Sequence, residues 1–184
     1  VHVVFTQYLP VLRKEDFDIL YQHPSITFDV LDWVGNSIRS KFARLYSGVI
    51  QKAHLLLFKK TGQLKSLNKI ENRHFSWQLG SAIAAKADLY IAHNLAALPV
   101  AVEAAKKNGA KCGFDAEDFH RQQVCDHNSA TAYHNAKLIE DRYFPQLNYF
   151  TAASPLINEA YAKLYPNMQG ITINNVFPKY NIQQ

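Results

Sequence analysis

Two cysteines in 184 residues are too few for a disulfide framework. Cys112 falls in an apolar run and Cys125 in a polar one, so both read as reduced thiols of a cytosolic protein. Long hydrophobic runs are missing too: no window approaches the roughly 18–20 uninterrupted apolar residues of a membrane span. No GxGxxG follows a strand-like run, no GxxxxGK[ST] occurs, and GxSxG is absent. Those absences remove the dinucleotide fingerprint, the P-loop and the serine-hydrolase elbow, and no cofactor is expected. Cys125, His120, His127 and His134 are metal-ligating types, but their spacing matches no standard zinc site, so no metal is expected. The opening residues Val1-His2-Val3-Val4-Phe5-Thr6 include no methionine, basic leader or small-residue cleavage site. They read as a strand already under way, in a natural chain that begins further upstream.

What is present suits a single α/β domain spanning residues 1–184. Hydrophobic residues make up 48% of the chain and charged ones 19%, enough apolar material for one core. Strand-like runs at Val1–Thr6, Ile26–Leu31, Asp88–Ala92, Lys111–Phe114, Tyr149–Ala153 and Ile171–Ile173 are separated by helical patterns. Helices are expected over Ser37–Phe58, Leu67–Lys86, Leu95–Asn108, Ser129–Tyr143 and from Pro155 to Tyr165, with a helical turn at Lys14–Tyr21. Ser154-Pro155 reads as an N-cap followed by an N1 proline, and Gly109 as a C-cap. Alternation of this kind means βαβ units, right-handed crossovers and a Rossmann-like parallel sheet with helices on both faces.

Ligands of open parallel sheets bind outside the carboxyl ends of the strands. That rule selects Thr6 and Gln7, His93 and Asn94, Asp115, Glu117 and Asp118, Ser154, and Asn174 and Asn175. His93 is a hydrogen-bond donor or proton relay by type. Asp115, Glu117 and Asp118 are suited to orienting sugar hydroxyls or acting as a base, or to being an acidic surface cluster at a helix start. The helices beginning near Leu95 and at Pro155 offer backbone N–H groups to a phosphate or hydroxyl.

Charge is unevenly placed. Asn36 to His74 holds nine Lys/Arg against the single acid Glu71, a net charge of +8 in a chain whose total is +5. Arg39, Lys41, Arg44, Lys52, Lys59 and Lys60 mark this surface, interleaved with Phe42, Leu45, Tyr46, Leu55, Leu56 and Phe58. Three readings stay open: an interfacial helix on anionic lipid, a nucleic-acid footprint, or a solvated basic face with its apolar residues turned to the core. No nucleic-acid-binding motif accompanies the run, so no nucleic-acid partner is expected.

From Ala87 onward an ordered set of segments is familiar. Ala87-Asp88-Leu89-Tyr90-Ile91-Ala92-His93-Asn94, then Leu98-Pro99 and an alanine-rich helix to Gly109-Ala110-Lys111, resembles the central strand and helix of GT-B glycosyltransferases of the family-4-like, group 1 type. Phe114-Asp115-Ala116-Glu117-Asp118 resembles the next strand end. Glu140 and Tyr149–Ser154 resemble the run from an acidic helix to a strand closing on serine, and Ile171–Pro178 resembles the exit toward a second domain. The resemblance covers about half the chain, Ala87 to Lys179. It implies the acceptor-side domain of a two-domain, metal-independent enzyme that moves a sugar from a nucleotide-sugar donor to a glycan or lipid-linked acceptor. Glu117 and His93 would be catalytic; Asn94, Asp115, Asp118, Ser154, Asn174 and Asn175 would bind substrate. Glu117 stands where many relatives carry a histidine. The donor-binding domain, with its paired glutamates, would lie outside this sequence, and this chain alone is expected to be inactive. Val1–Thr6 and Ile26–Leu31 fit the family's second and third strands, so its first strand is expected to be missing. Members of this kind act in the cytoplasm, some of them peripherally at the inner face of the membrane.

Overall fold

The computed structural model describes residues 1–123, 127, 128 and 130–176. Cys125, Ser129 and the turn Phe177-Pro178 lie outside the described residues. The elements run β1 (His2–Gln7), α1 (Arg13–Gln22), β2 (Thr27–Asp32), α2 (Ile38–Thr61), α3 (Leu64–Glu71), α4 (Phe75–Ala85), β3 (Leu89–Ala92), α5 (Leu98–Asn108), β4 (Lys111–Ala116), α6 (Thr131–Tyr143), β5 (Tyr149–Ala152), α7 (Pro155–Leu164) and β6 (Gly170–Thr172). Every strand pair is parallel. The fold is α/β and Rossmann-like, as the alternation predicts.

The sheet comes in two pieces, β1-β2 and β3-β4-β5-β6. Among the described residues β1 and β3 are each hydrogen-bonded on one side only. Helices lie on both faces. Phe17 of α1 packs on Phe5 of β1 and Phe28 of β2, and Gln7 donates to Asp16 from the same side. On the opposite side Gln78 of α4 reaches Thr6. Tyr21 adds a third ring to the α1 cluster. That apolar face extends the expected turn at Lys14–Tyr21 into a ten-residue helix.

The core lies under the longer piece. Tyr90 and Ala92 of β3, Phe114 and Ala116 of β4, and Phe150 and Ala152 of β5 alternate inward and are buried. Phe114, Phe144, Phe150 and Tyr161 form a connected ring cluster beneath α7, each fully buried. Each such side chain contributes roughly 1.5–3 kcal/mol of burial. Gly109 ends α5 at φ 66°, the left-handed cap its position predicts.

Two boundaries differ from expectation. The helix expected over Leu67–Lys86 breaks at Asn72, whose buried side chain donates to Gln78 Oε1 and to the Ala96 carbonyl and accepts from the His74 amide. An asparagine offering these bonds stabilises a bend over a continued helix. The helix expected from Leu95 begins at Leu98, because Asn94 Oδ1 accepts the Ala97 N–H and forms a turn first.

Candidate functional site

The parallel register sets Ala92 beside Phe114, so His93 and Asp115 emerge side by side at the carboxyl ends of β3 and β4. His93 Nδ1 lies 3.1 Å from Asp115 Oδ2. Thr151 of β5, level with Asp115, donates to Asp115 Oδ1. The carboxylate is thus held from both sides, and the imidazole is left exposed with its Nε2 edge distal to the pair. A carboxylate bonded to one ring nitrogen orients a histidine as a proton acceptor or donor through the other, the logic of an acid–base pair. Glu117, exposed one residue past β4, brings a third group: one ligand atom each of His93, Asp115 and Glu117 lie within 4.8 Å of one another. Among the described residues this is the one cluster of His, Cys, Asp or Glu with metal-ligand spacing. One nitrogen and two carboxylate oxygens are donors acceptable to a divalent cation, but the direct His93–Asp115 bond satisfies the pair without one.

The other expected residues are placed as follows. Asp118 accepts from Gln123 Nε2 at 2.9 Å, which folds the loop after β4 back on itself. The Asn94 carbonyl is occupied by the Ala97 amide. Ser154 Oγ accepts the Ile157 N–H at 3.3 Å as the N-cap of α7, and Ser154 O accepts from Asn158. The N-termini expected to offer free N–H groups are therefore partly occupied by their own caps. Asn174 and Asn175 are exposed beyond β6, where the Asn175 amide reaches Ala153 O at 3.4 Å. Of the basic residues, Arg39, Lys41, Lys52, Lys59 and Lys60 are exposed. Arg44 is different: it turns inward and donates to the carbonyls of Trp33 and Gly35. Its guanidinium closes the loop after β2, and that employment takes it off the anionic surface.

Sequence reasoning missed an aromatic ledge. Gln7 pairs with Asp32 at the level carboxyl ends of β1 and β2, and Tyr8 and Trp33 follow directly. Their rings lie 6.0 Å apart, His74 stands edge-on to Trp33 at 4.6 Å, and the Arg73 guanidinium covers the Trp33 ring at 4.7 Å. Burial, reinforced by the neighbouring Arg73 charge, pushes His74 down to about 4, so it is neutral at pH 7. Asn72 ties the His74 loop to the Ala96 carbonyl just past His93-Asn94. The signal in the sequence was an aromatic residue directly after each of the first two strands.

A second feature, foreseen only in part through Glu140, lies beneath the loop after β4. Arg121 Nε bonds Glu140 at 2.5 Å, Arg121 Nη2 bonds Asp141 at 2.6 Å, and Tyr161 donates to the other Glu140 oxygen at 3.0 Å. Arg121 and Glu140 side chains are almost wholly buried. Burial pushes the Glu140 carboxyl upward against the pull of Arg121 and Tyr161. Cys112, in the core under β4, has its thiol pushed up to about 12 by burial and is inert.

No family model matches the chain, and no curated protein matches it. Among the described residues no helix is long and apolar enough to cross a membrane.

Proposed function

We propose that this chain is the acceptor-side domain of a GT-B glycosyltransferase, which transfers a sugar from a nucleotide-sugar donor to a glycan or lipid-linked acceptor. The observation that carries the reading is the meeting of His93, Asp115 and Glu117 on adjacent strand ends of a parallel sheet. It is supported by the ordered resemblance from Ala87 to Lys179 and by the Tyr8–Trp33 ledge on the rim of the shorter sheet piece, since aromatic faces suit the apolar faces of sugar rings. In this reading His93, oriented by Asp115, takes up or relays the acceptor hydroxyl proton. Glu117 positions the reacting hydroxyl, and Asn174 and Asn175 border the cleft toward the donor-binding domain. The donor-binding domain supplies most of the nucleotide contacts, so this chain alone transfers no sugar.

The test is kinetic, in a protein carrying both domains of the pair. His93→Ala and Glu117→Ala are each expected to lower kcat by about 100-fold or more, with little change in Tm, because both side chains are exposed. Unchanged turnover in both variants removes the assignment. Sugar transfer by the 184-residue chain alone removes the two-domain reading.

A second reading is favoured by the basic helix α2: a non-catalytic module that binds an anionic polymer or membrane surface. Salt-dependent polymer binding by this chain, together with no response to any nucleotide sugar when a donor domain is added, would select it.

A further inference from the structure

Helix α2 is built inside out. Its face toward the protein carries Ser40, Arg44, Ser47, Gln51 and His54, while Ile38, Phe42, Leu45, Val49 and Leu56 point to solvent, between 59% and 87% exposed. The outward set is spaced 4, 3, 4 and 7 residues apart, which lines it up as one stripe along the helix. At 24 residues the helix is about 36 Å long.

The inward polar face is fastened. Arg44 donates to the Trp33 and Gly35 carbonyls, Gln51 donates to the Ile70 carbonyl at 2.7 Å, and His54 bonds Ser66 at 3.2 Å. Arg73 donates to the Arg44 carbonyl from α2's inner side. Turning the apolar stripe inward would break all of these and bury the polar groups unpaired. The orientation is therefore a property of the fold, and an apolar stripe of this length facing water marks a contact surface.

Charge identifies the partner. Lys41, Lys52 and Lys59 are exposed and, 11 and 7 residues apart, form a rank along one edge of the stripe. Arg39 lies on the other edge, and α2 contains no acid. We infer that α2 lies flat on an anionic lipid bilayer, with Phe42, Leu45, Val49 and Leu56 in the acyl boundary and Lys41, Lys52 and Lys59 among the headgroups. A second copy of this chain is the poorer occupant, because it would oppose one rank of lysines to another. The inference stands on α2 alone and does not rest on the sugar-transfer reading.

The test is co-sedimentation of the chain with vesicles of neutral phosphatidylcholine, with or without 30% phosphatidylglycerol. Binding is expected to the anionic vesicles only and to weaken as salt is raised. Lys41→Gln/Lys52→Gln/Lys59→Gln should weaken it by about 100-fold, at about a factor of five per lysine. Leu45→Gln/Leu56→Gln should abolish it with the far-UV spectrum unchanged. A bimane label at Val49→Cys in a Cys125→Ser chain, whose remaining Cys112 is buried, should blue-shift on binding and be quenched by acyl-chain quenchers. Three outcomes overturn the inference: no binding to anionic vesicles, a label that stays in water, or a concentration-dependent dimer that Leu45→Gln/Leu56→Gln dissociates while vesicle binding persists.

Discussion

Arg121→Ala tests the contact that anchors the loop after β4 beneath the candidate site. The guanidinium joins Glu140 and Asp141 of α6, and Tyr165 accepts a further bond from it, so one side chain ties the loop to two helices. Removing it leaves the fully buried Glu140 carboxylate bonded to the Tyr161 hydroxyl but without its guanidinium partner. Breaking one partner of a buried pair costs about 3–5 kcal/mol, far more than the net value of the pair. For a chain of this size that is a fall in Tm of roughly 6–20 °C.

The pH dependence gives the sharper check. Glu140 already sits above its ordinary value of 4.5 because of burial. A carboxyl whose folded pKa is raised favours the folded state below the unfolded value and loses that stability as pH rises through the folded one. Without Arg121 the folded value climbs further, so the deficit should be largest near pH 8 and shrink toward pH 5. Urea titrations of the wild type, Arg121→Ala and Arg121→Ala/Glu140→Gln at both pH values measure it. The double variant, which has no buried charge to leave unpaired, should recover part of the loss. A deficit below about 1 kcal/mol at pH 8, or a double variant no more stable than Arg121→Ala, would refute the reasoning.

Two further outcomes are expected. His74 is held down to about 4 in the fold against 6.5 when free, so its contribution is fully present above pH 6.5 and is lost as pH falls toward 4; chemical denaturation across that window should show a slope that His74→Leu flattens. Gly170 of β6 packs under Phe150, whose ring lies 2.2 Å from where a Cβ would stand. Because Phe150 is fully buried and cannot swing aside, Gly170→Ala should cost about 1–3 kcal/mol by overpacking. A thermal melt within 1 °C of wild type would contradict that.

Elements with strong local signals were legible from the residues alone. Ser154-Pro155 starts α7, Gly109 stops α5, and the β-branched and aromatic runs became β1 to β6 within a few residues. What was not legible depended on partners distant in sequence. Asn72 breaks a helix because Ala96 lies opposite it, and nothing in the local pattern says so. Tyr8 and Trp33 meet only because Gln7 and Asp32 share a register across β1 and β2. His93 and Asp115 both read as strand-end residues, yet their pairing follows from the register that sets Ala92 beside Phe114.

Helix α2 shows the limit most clearly. A period of 3.6 says that Phe42, Leu45, Val49 and Leu56 share a face, but periodicity is blind to direction. The usual inference sends the apolar face to the core, and composition alone left that reading open. The direction is decided by Arg44, Gln51 and His54, whose bonds to Trp33, Ile70 and Ser66 cross turns the sequence pattern does not connect. A polar residue that can satisfy itself against a neighbouring backbone outweighs an apolar one that has another place to go. The same residues that would make α2 a poor core helix leave its apolar stripe and its lysines on one accessible surface.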